Sequence, residues 1–439
     1  MPFTWPLRAS ALTISSVVAA GLVAGVMASP AQIPDTSPDL VREPAIAYFT
    51  SPVSDRVAEL NGKLQSGAVR LTFDDARGYL PSVLEALQLP VASQVVVFSK
   101  TSVQATRVTP ANPRAIYFND AVAVGYIHDA AYLEFAAQDP RQGVIFYTLD
   151  QRRPVAGDAA PTIERRDFCL SCHNGNATSE VPGMVVRSIV TMSTGQTAPR
   201  FGNYVSDHRS PFDERWAGWY VTGAAGAMTH LGNALLIDRD HPEGLVTSET
   251  LHVGSLAGKI DTNAYLSPYS DIAALLTFNH QMRVMNLLTR VGWEARLAAR
   301  RSASDRTSLF SGMARELVDY LLFVDEVPLP SAVKGGSGFA ETFAAQGPAD
   351  RQGRSLRQLD LDRRLLRYPC SYMMYSAAFD ALPAEAKDAV YRRLWQVLAG
   401  DDQSPKYARL SPSDRRAIVE ILADTKNDLP AYFTAASPR

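Results

Sequence analysis

Between residues 46 and 150 the apolar positions fall in short runs rich in β-branched and aromatic side chains, at 69–73, 94–98, 115–118, 123–127 and 144–147. Turn residues such as Asn119 and Asp120 separate them. Runs of this length and make-up predict a small antiparallel sheet or sandwich, interrupted by one helix near 80–87. From 151 to 265 Gly, Pro, Asn and Thr are frequent and no period is sustained. That predicts loops wrapped around something other than a regular apolar core. After Ser270 the period changes: Ala273, Leu276, His280, Val284, Leu287 and Val291 recur three and four residues apart, the stripe of an amphipathic helix. A second helix is expected over 307–325, completing a helical region at 266–330. The Gly-rich stretch 331–350 reads as a mobile connection. From 351 to 439 the chain reads as helical again, with Ser411 ahead of Pro412 as a start signal. The class implied is α+β: a β-rich part at 46–150, a loop-rich part at 151–265 and a helical C-terminal part.

Composition changes this picture little. With 46% hydrophobic and 20% charged residues a sizeable core is expected, and a formal net charge of −2 gives no basis for a nucleic-acid partner. The N-terminus adds more. Arg8 precedes an uncharged, mostly apolar stretch from Ala11 to Met27, which ends in the small residues Ala28 and Ser29. This is the layout of a secretory signal, expected over 1–28 and followed by a flexible Pro-rich leader over 29–45. The stretch is at the short limit for a membrane span. No span is expected after cleavage, with an uncleaved N-terminal anchor as the alternative.

Three cysteines in 439 residues cannot make a disulfide scaffold. Two of them stand in Cys169-Leu170-Ser171-Cys172-His173. Positions i and i+3 on a helical turn share a face, so both thiols can reach the two vinyl groups of one porphyrin. The histidine that follows can turn its imidazole under the ring to bind iron. Chance places roughly 2 × 10⁻⁴ such segments in a chain of this composition. A redox C-x-x-C pair lacks its βαβ setting here, and a zinc site lacks a second ligand pair because Cys370 stands alone. Cys370 itself reads as a small buried hydrophobe. The expected cofactor is one covalent haem c, with Cys169 and Cys172 as attachment points and His173 as proximal iron ligand.

For the opposite face of the iron, Met184 after the Pro182-Gly183 turn is the first candidate, with His230 and His280 as alternatives. A methionine raises the reduction potential and suits electron transfer, whereas an open position suits catalysis or small-gas binding. Trp216 and Trp219 offer flat apolar walls for a haem pocket, or serve as core aromatics.

Together with the motif, the segments 181–188 (VPGMVVRS), 215–223 (RWAGWYVTG), 230–233 (HLGN), 279–281 (NHQ) and 368–372 (YPCSY) resemble a family of large exported bacterial single-haem proteins, described as cytochrome c domain-containing. The resemblance covers most of the mature chain. It implies a periplasmic protein that binds haem and passes electrons to a redox partner protein. It brings no defined substrate, and no residue roles beyond the motif. The mid-chain motif departs from the small soluble cytochromes c, whose attachment site lies near the mature N-terminus. The expected function is single-electron transfer; the alternative, motivated by size, is a haem-dependent oxidoreductase such as a peroxidase-like enzyme with an open iron coordination site.

Overall fold

The computed structural model describes residues 38–299 and 301–435, so the expected signal segment and the first part of the leader lie outside the described residues. The rest of that leader is structured: Pro38–Arg42 forms a 3-10 helix and Val41 is buried. Helix α1 (Arg56–Gln65) starts at Asp55, whose carboxylate accepts the N–H groups of Val57 and Ala58, two of the donors a helix start leaves free. Helix α2 spans Leu80–Ala86.

The apolar runs become strands β1 (Val95–Val97), β2 (Arg114–Phe118), β3 (Val122–Ile127) and β5 (Gly143–Asp150), with β4 (Tyr132–Asp139) between the last two. Strands β6 (Ile163–Arg165), β7 (Val186–Ile189), β8 (Asn203–Ser206) and β9 (Trp219–Tyr220) follow. Seven of them make one sheet in the order β6-β5-β4-β3-β2-β1-β9, and β7 pairs with β8. The run at 69–73 is not a strand. Val69, Leu71 and Phe73 are half-buried against the core, but no strand pairs with that stretch.

Alternation divides the sheet's two faces. Ile145, Tyr147 and Leu149 pack with Val57, Leu60 and Leu64 of α1, while Val144 and Phe146 face the core that holds the helical half. The short helices α3 (Leu170–His173) and α4 (Ser248–Leu251) lie in the connections before it, and the half itself comprises α5 (Ile272–Ala298), α6 (Ala303–Leu321), α7 (Phe339–Ala345), α8 (Ala377–Asp380), α9 (Ala384–Leu398) and α10 (Pro412–Thr425). The fold is α+β, with a β-rich region through about residue 220 and a helical part beyond 272.

Helix α5 organises the molecule. Of its 27 residues 21 are buried, so it has no broad solvent face. The sheet touches it through Phe118 and Phe278 (4.8 Å between ring centres), and α6 and α9 cover the far side. Four of its buried polar side chains hold a partner from another segment: Asn279 with Trp216, Gln281 with Tyr372, Asn286 with Met184 and Thr289 with Gln138. Buried polar groups are tolerated when bonded in this way.

The stretch 331–350, expected to be mobile, is pinned instead. One oxygen of buried Asp271 caps α5 through Ala273 and Ala274; the other accepts the backbone N–H and hydroxyl of Ser337. A Cβ on Gly335 would lie 2.3 Å from that carboxylate, so glycine here serves close approach rather than flexibility. Asp271→Ala removes a helix cap and both anchors at once. The expected cost is roughly 2–4 kcal/mol in urea denaturation, and a loss below about 1 kcal/mol would show that other contacts hold the stretch. Among the described residues no helix is long and apolar enough to cross a membrane.

Candidate functional site

Cys169 ends a 3-10 turn and leads directly into α3, the single turn that carries Cys172 and His173. Neither thiol is in a disulfide: Cys169 is half-buried and Cys172 is exposed. The turn lies over the sheet face carrying Phe146, whose ring centre is 4.7 Å from that of His173. Burial pushes the Cys169 thiol up to about 11, helped by the charge of Glu134. Glu134 in turn pairs with Arg114 at 2.9 Å and accepts the Ser102 hydroxyl.

The histidine is held from one edge. His173 Nδ1 lies 3.0 Å from the carbonyl oxygen of Gly183, and the Gly183 N–H donates to the His173 carbonyl at 2.9 Å. A carbonyl can only accept, so Nδ1 carries the ring proton and Nε2 keeps its lone pair. Among the described residues no hydrogen bond engages Nε2. Burial holds the ring below the usual imidazole range, which keeps it neutral. A metal-binding histidine needs this tautomer and this kind of outer partner.

The other candidates stand differently. Met184 follows Gly183, with its N–H and C=O both bonded to the side-chain amide of Asn286, at 3.0 and 2.7 Å. It lines a cleft of about 280 Å³ together with Met282, Asp207 and Arg283. His230 is fully buried, and its Nδ1 accepts the Gly232 N–H at 3.1 Å. That places the ring proton on Nε2, the opposite tautomer from His173, and this buried nitrogen has no partner. His280 has neither nitrogen free: Nδ1 shares a proton with Nδ1 of His208 across 2.8 Å, and Nε2 is 2.8 Å from the Ser371 hydroxyl. The two imidazoles stack between Tyr320 and Phe323. Neither His230 nor His280 presents a free lone pair to a metal in this arrangement, whereas the bonds at Met184 involve its backbone and leave the thioether out.

Trp216 is fully buried and donates to Asn279 at 2.6 Å, while Trp219 donates to the Arg187 carbonyl at 2.8 Å. Their ring neighbours are Phe212, His230 and Phe278, not His173. Both are core aromatics joining the sheet edge to α5. The aromatic beside the motif is Phe146, which sequence reading did not single out; neither were Gly183 as acceptor, Asn286 and the Arg114–Glu134 pair. Their places depend on contacts between residues 10 to more than 100 positions apart, and no short motif encodes such contacts. Cys370 is fully buried and its thiol is pushed up to about 12 by burial, as fits a small core residue. No known protein family matches the chain, and no curated protein or solved structure shows significant similarity to it.

Proposed function

We propose that the chain is an exported, periplasmic c-type cytochrome carrying one haem on Cys169 and Cys172, with His173 as axial ligand. The observation that carries this reading is the Gly183 carbonyl on His173 Nδ1, which leaves Nε2 available as a donor. Two free thiols one helical turn apart, one of them open to solvent, fit a porphyrin with two vinyl groups. Bound there, the haem supplies a one-electron Fe(III)/Fe(II) couple, passed to a redox partner protein. The chain's own residues orient the imidazole, shield one side of the motif with Phe146 and keep the ring neutral.

A second reading, a haem-dependent oxidoreductase with an open iron position, draws on one specific observation. His230 and His280 are each bonded in a way that withholds a second axial donor. Optical spectra of the natively matured protein, with and without cyanide, separate the two. The carrier gives six-coordinate low-spin iron in both oxidation states and resists cyanide; the oxidoreductase gives high-spin ferric iron that converts on adding it. A protein with no haem absorption after maturation in a competent host would end both readings.

A further inference from the structure

We propose that Asn286 is the positioning residue for the axial histidine, fixing the Gly183 carbonyl on His173 and thereby setting how strongly the imidazole donates to iron. The last clause rests on the haem reading; the positioning itself does not.

The contact is bidentate. Asn286 Oδ1 accepts the Met184 N–H at 3.0 Å, and Nδ2 donates to the Met184 carbonyl at 2.7 Å. The amide thus pairs with one backbone residue as a neighbouring strand would. Met184 is the residue after Gly183, so the peptide unit linking them bears both the N–H that Asn286 holds and the carbonyl that His173 Nδ1 meets. Fixing one end of a planar peptide fixes the other. The anchor is stiff because Asn286 is buried mid-way along α5, the most enclosed helix of the molecule. Gly183 shows how close the approach is: a Cβ there would lie 2.1 Å from Asn286 Oδ1 and 2.8 Å from its Cγ. No other residue type can stand at 183 with this clamp intact.

The consequence for a bound metal follows from the outer hydrogen bond. A strong Nδ1–H···O=C bond adds imidazolate character, strengthens donation through Nε2 and favours the ferric state. Loosening it should do the reverse.

The test uses Asn286→Leu, close in volume but unable to make either bond, Gly183→Ala, which attacks the same contact from the other side, and the double variant. In the haem-loaded protein each single change should shift the midpoint potential upward and, where the ferrous iron is five-coordinate, lower its iron–histidine stretching frequency. The double variant should add little to either, because both singles break one contact. Gln94→Ala, which removes a buried amide bonded to Ser267, Tyr269 and Tyr117, serves as a control for general loosening and should leave both readouts in place. Nitrogen-15 spectra of the haem-free chain test the clamp separately: His173 should be protonated at Nδ1 in the parent and become a tautomer mixture in Asn286→Leu. An unchanged tautomer in folded Asn286→Leu would overturn the clamp whether or not haem binds. A parent that never acquires haem would remove the tuning role and leave the clamp to stand or fall on the tautomer.

Discussion

After native maturation the haem should stay with the polypeptide through acid–organic extraction, and in the Cys169→Ala/Cys172→Ala double variant it should be lost completely. This is the largest effect the haem reading implies, because without either thioether nothing covalent holds the group to the chain. Each single variant retains one possible bond and should keep colour on the chain while changing the absorption of the extracted peptide. The two thiols are unequal. Cys172 is exposed, whereas burial and the charge of Glu134 push the Cys169 thiol up to about 11, and thiolate is the reactive form. In the folded haem-free chain, alkylation should therefore mark Cys172 first. Cys169 should lag, and Cys370, pushed up to about 12 by full burial, should react last. Intact mass and peptide mapping read both results. Haem extracted quantitatively from the parent protein would sink the covalent reading, and alkylation of Cys370 ahead of Cys172 would contradict the burial described here.

The second large effect is loss of stability in mild acid. His208 and His280 are both held well below the ordinary imidazole value by burial, with Arg209 and Arg215 further opposing a charge on His208 and His208 opposing one on His280. His230 is lowered to about 4 by burial. A histidine lowered on folding stabilises the folded chain fully above its unfolded value of about 6.5, and this is lost as the pH falls towards the folded value. For His230 alone the loss amounts to about 3 kcal/mol. Glu326 works in the opposite sense: burial raises its carboxyl to about 7, so the folded chain gains a proton, and stability, as pH falls from 7 towards the ordinary carboxylate range. That gain is also about 3 kcal/mol and offsets His230. The net decline below pH 6.5 then comes from the His208–His280 pair and, in the haem-free chain, from His173. Urea midpoints should fall between pH 7 and 5, and more steeply in Glu326→Gln. Midpoints that hold steady or climb over that interval would show the imidazole pair to be charged, or solvated, in the folded chain.

Much of the architecture was legible because burial period and strand or helix period coincide. The runs at 94–98, 115–118, 123–127 and 144–147 alternate between two packed faces and became β1, β2, β3 and β5. Strand β4 escaped notice because Glu134 and Gln138 interrupt its apolar pattern; both point into polar company, with Arg114 and Thr289. The run at 69–73 had the right composition and no pairing partner, a difference that only tertiary structure decides. The Gly-rich stretch at 331–350 illustrates the same limit, since Gly335 reports a close carboxylate rather than freedom. At the site, Cys169, Cys172 and His173 were legible because their spacing matches what attachment to a porphyrin would require. What orients His173 was not, because Gly183 and Asn286 act through a backbone carbonyl and a helix more than 100 residues downstream. Polar residues inside a helical stripe, such as Asn279, Gln281 and Asn286, were the available sign that α5 has no outer face.

That wiring makes α5 intolerant of changes in length. Every residue added to a helix turns all that follows by about 100°. One extra residue inserted after Leu276 would swing Asn279, His280, Gln281, Asn286 and Thr289 away from four different segments together. A point substitution on α5 touches one of these bonds, but an insertion breaks the register that the sheet, the loop at Met184 and the C-terminal helices share. The natural place for new sequence in this protein is in its surface turns, never along its central axis.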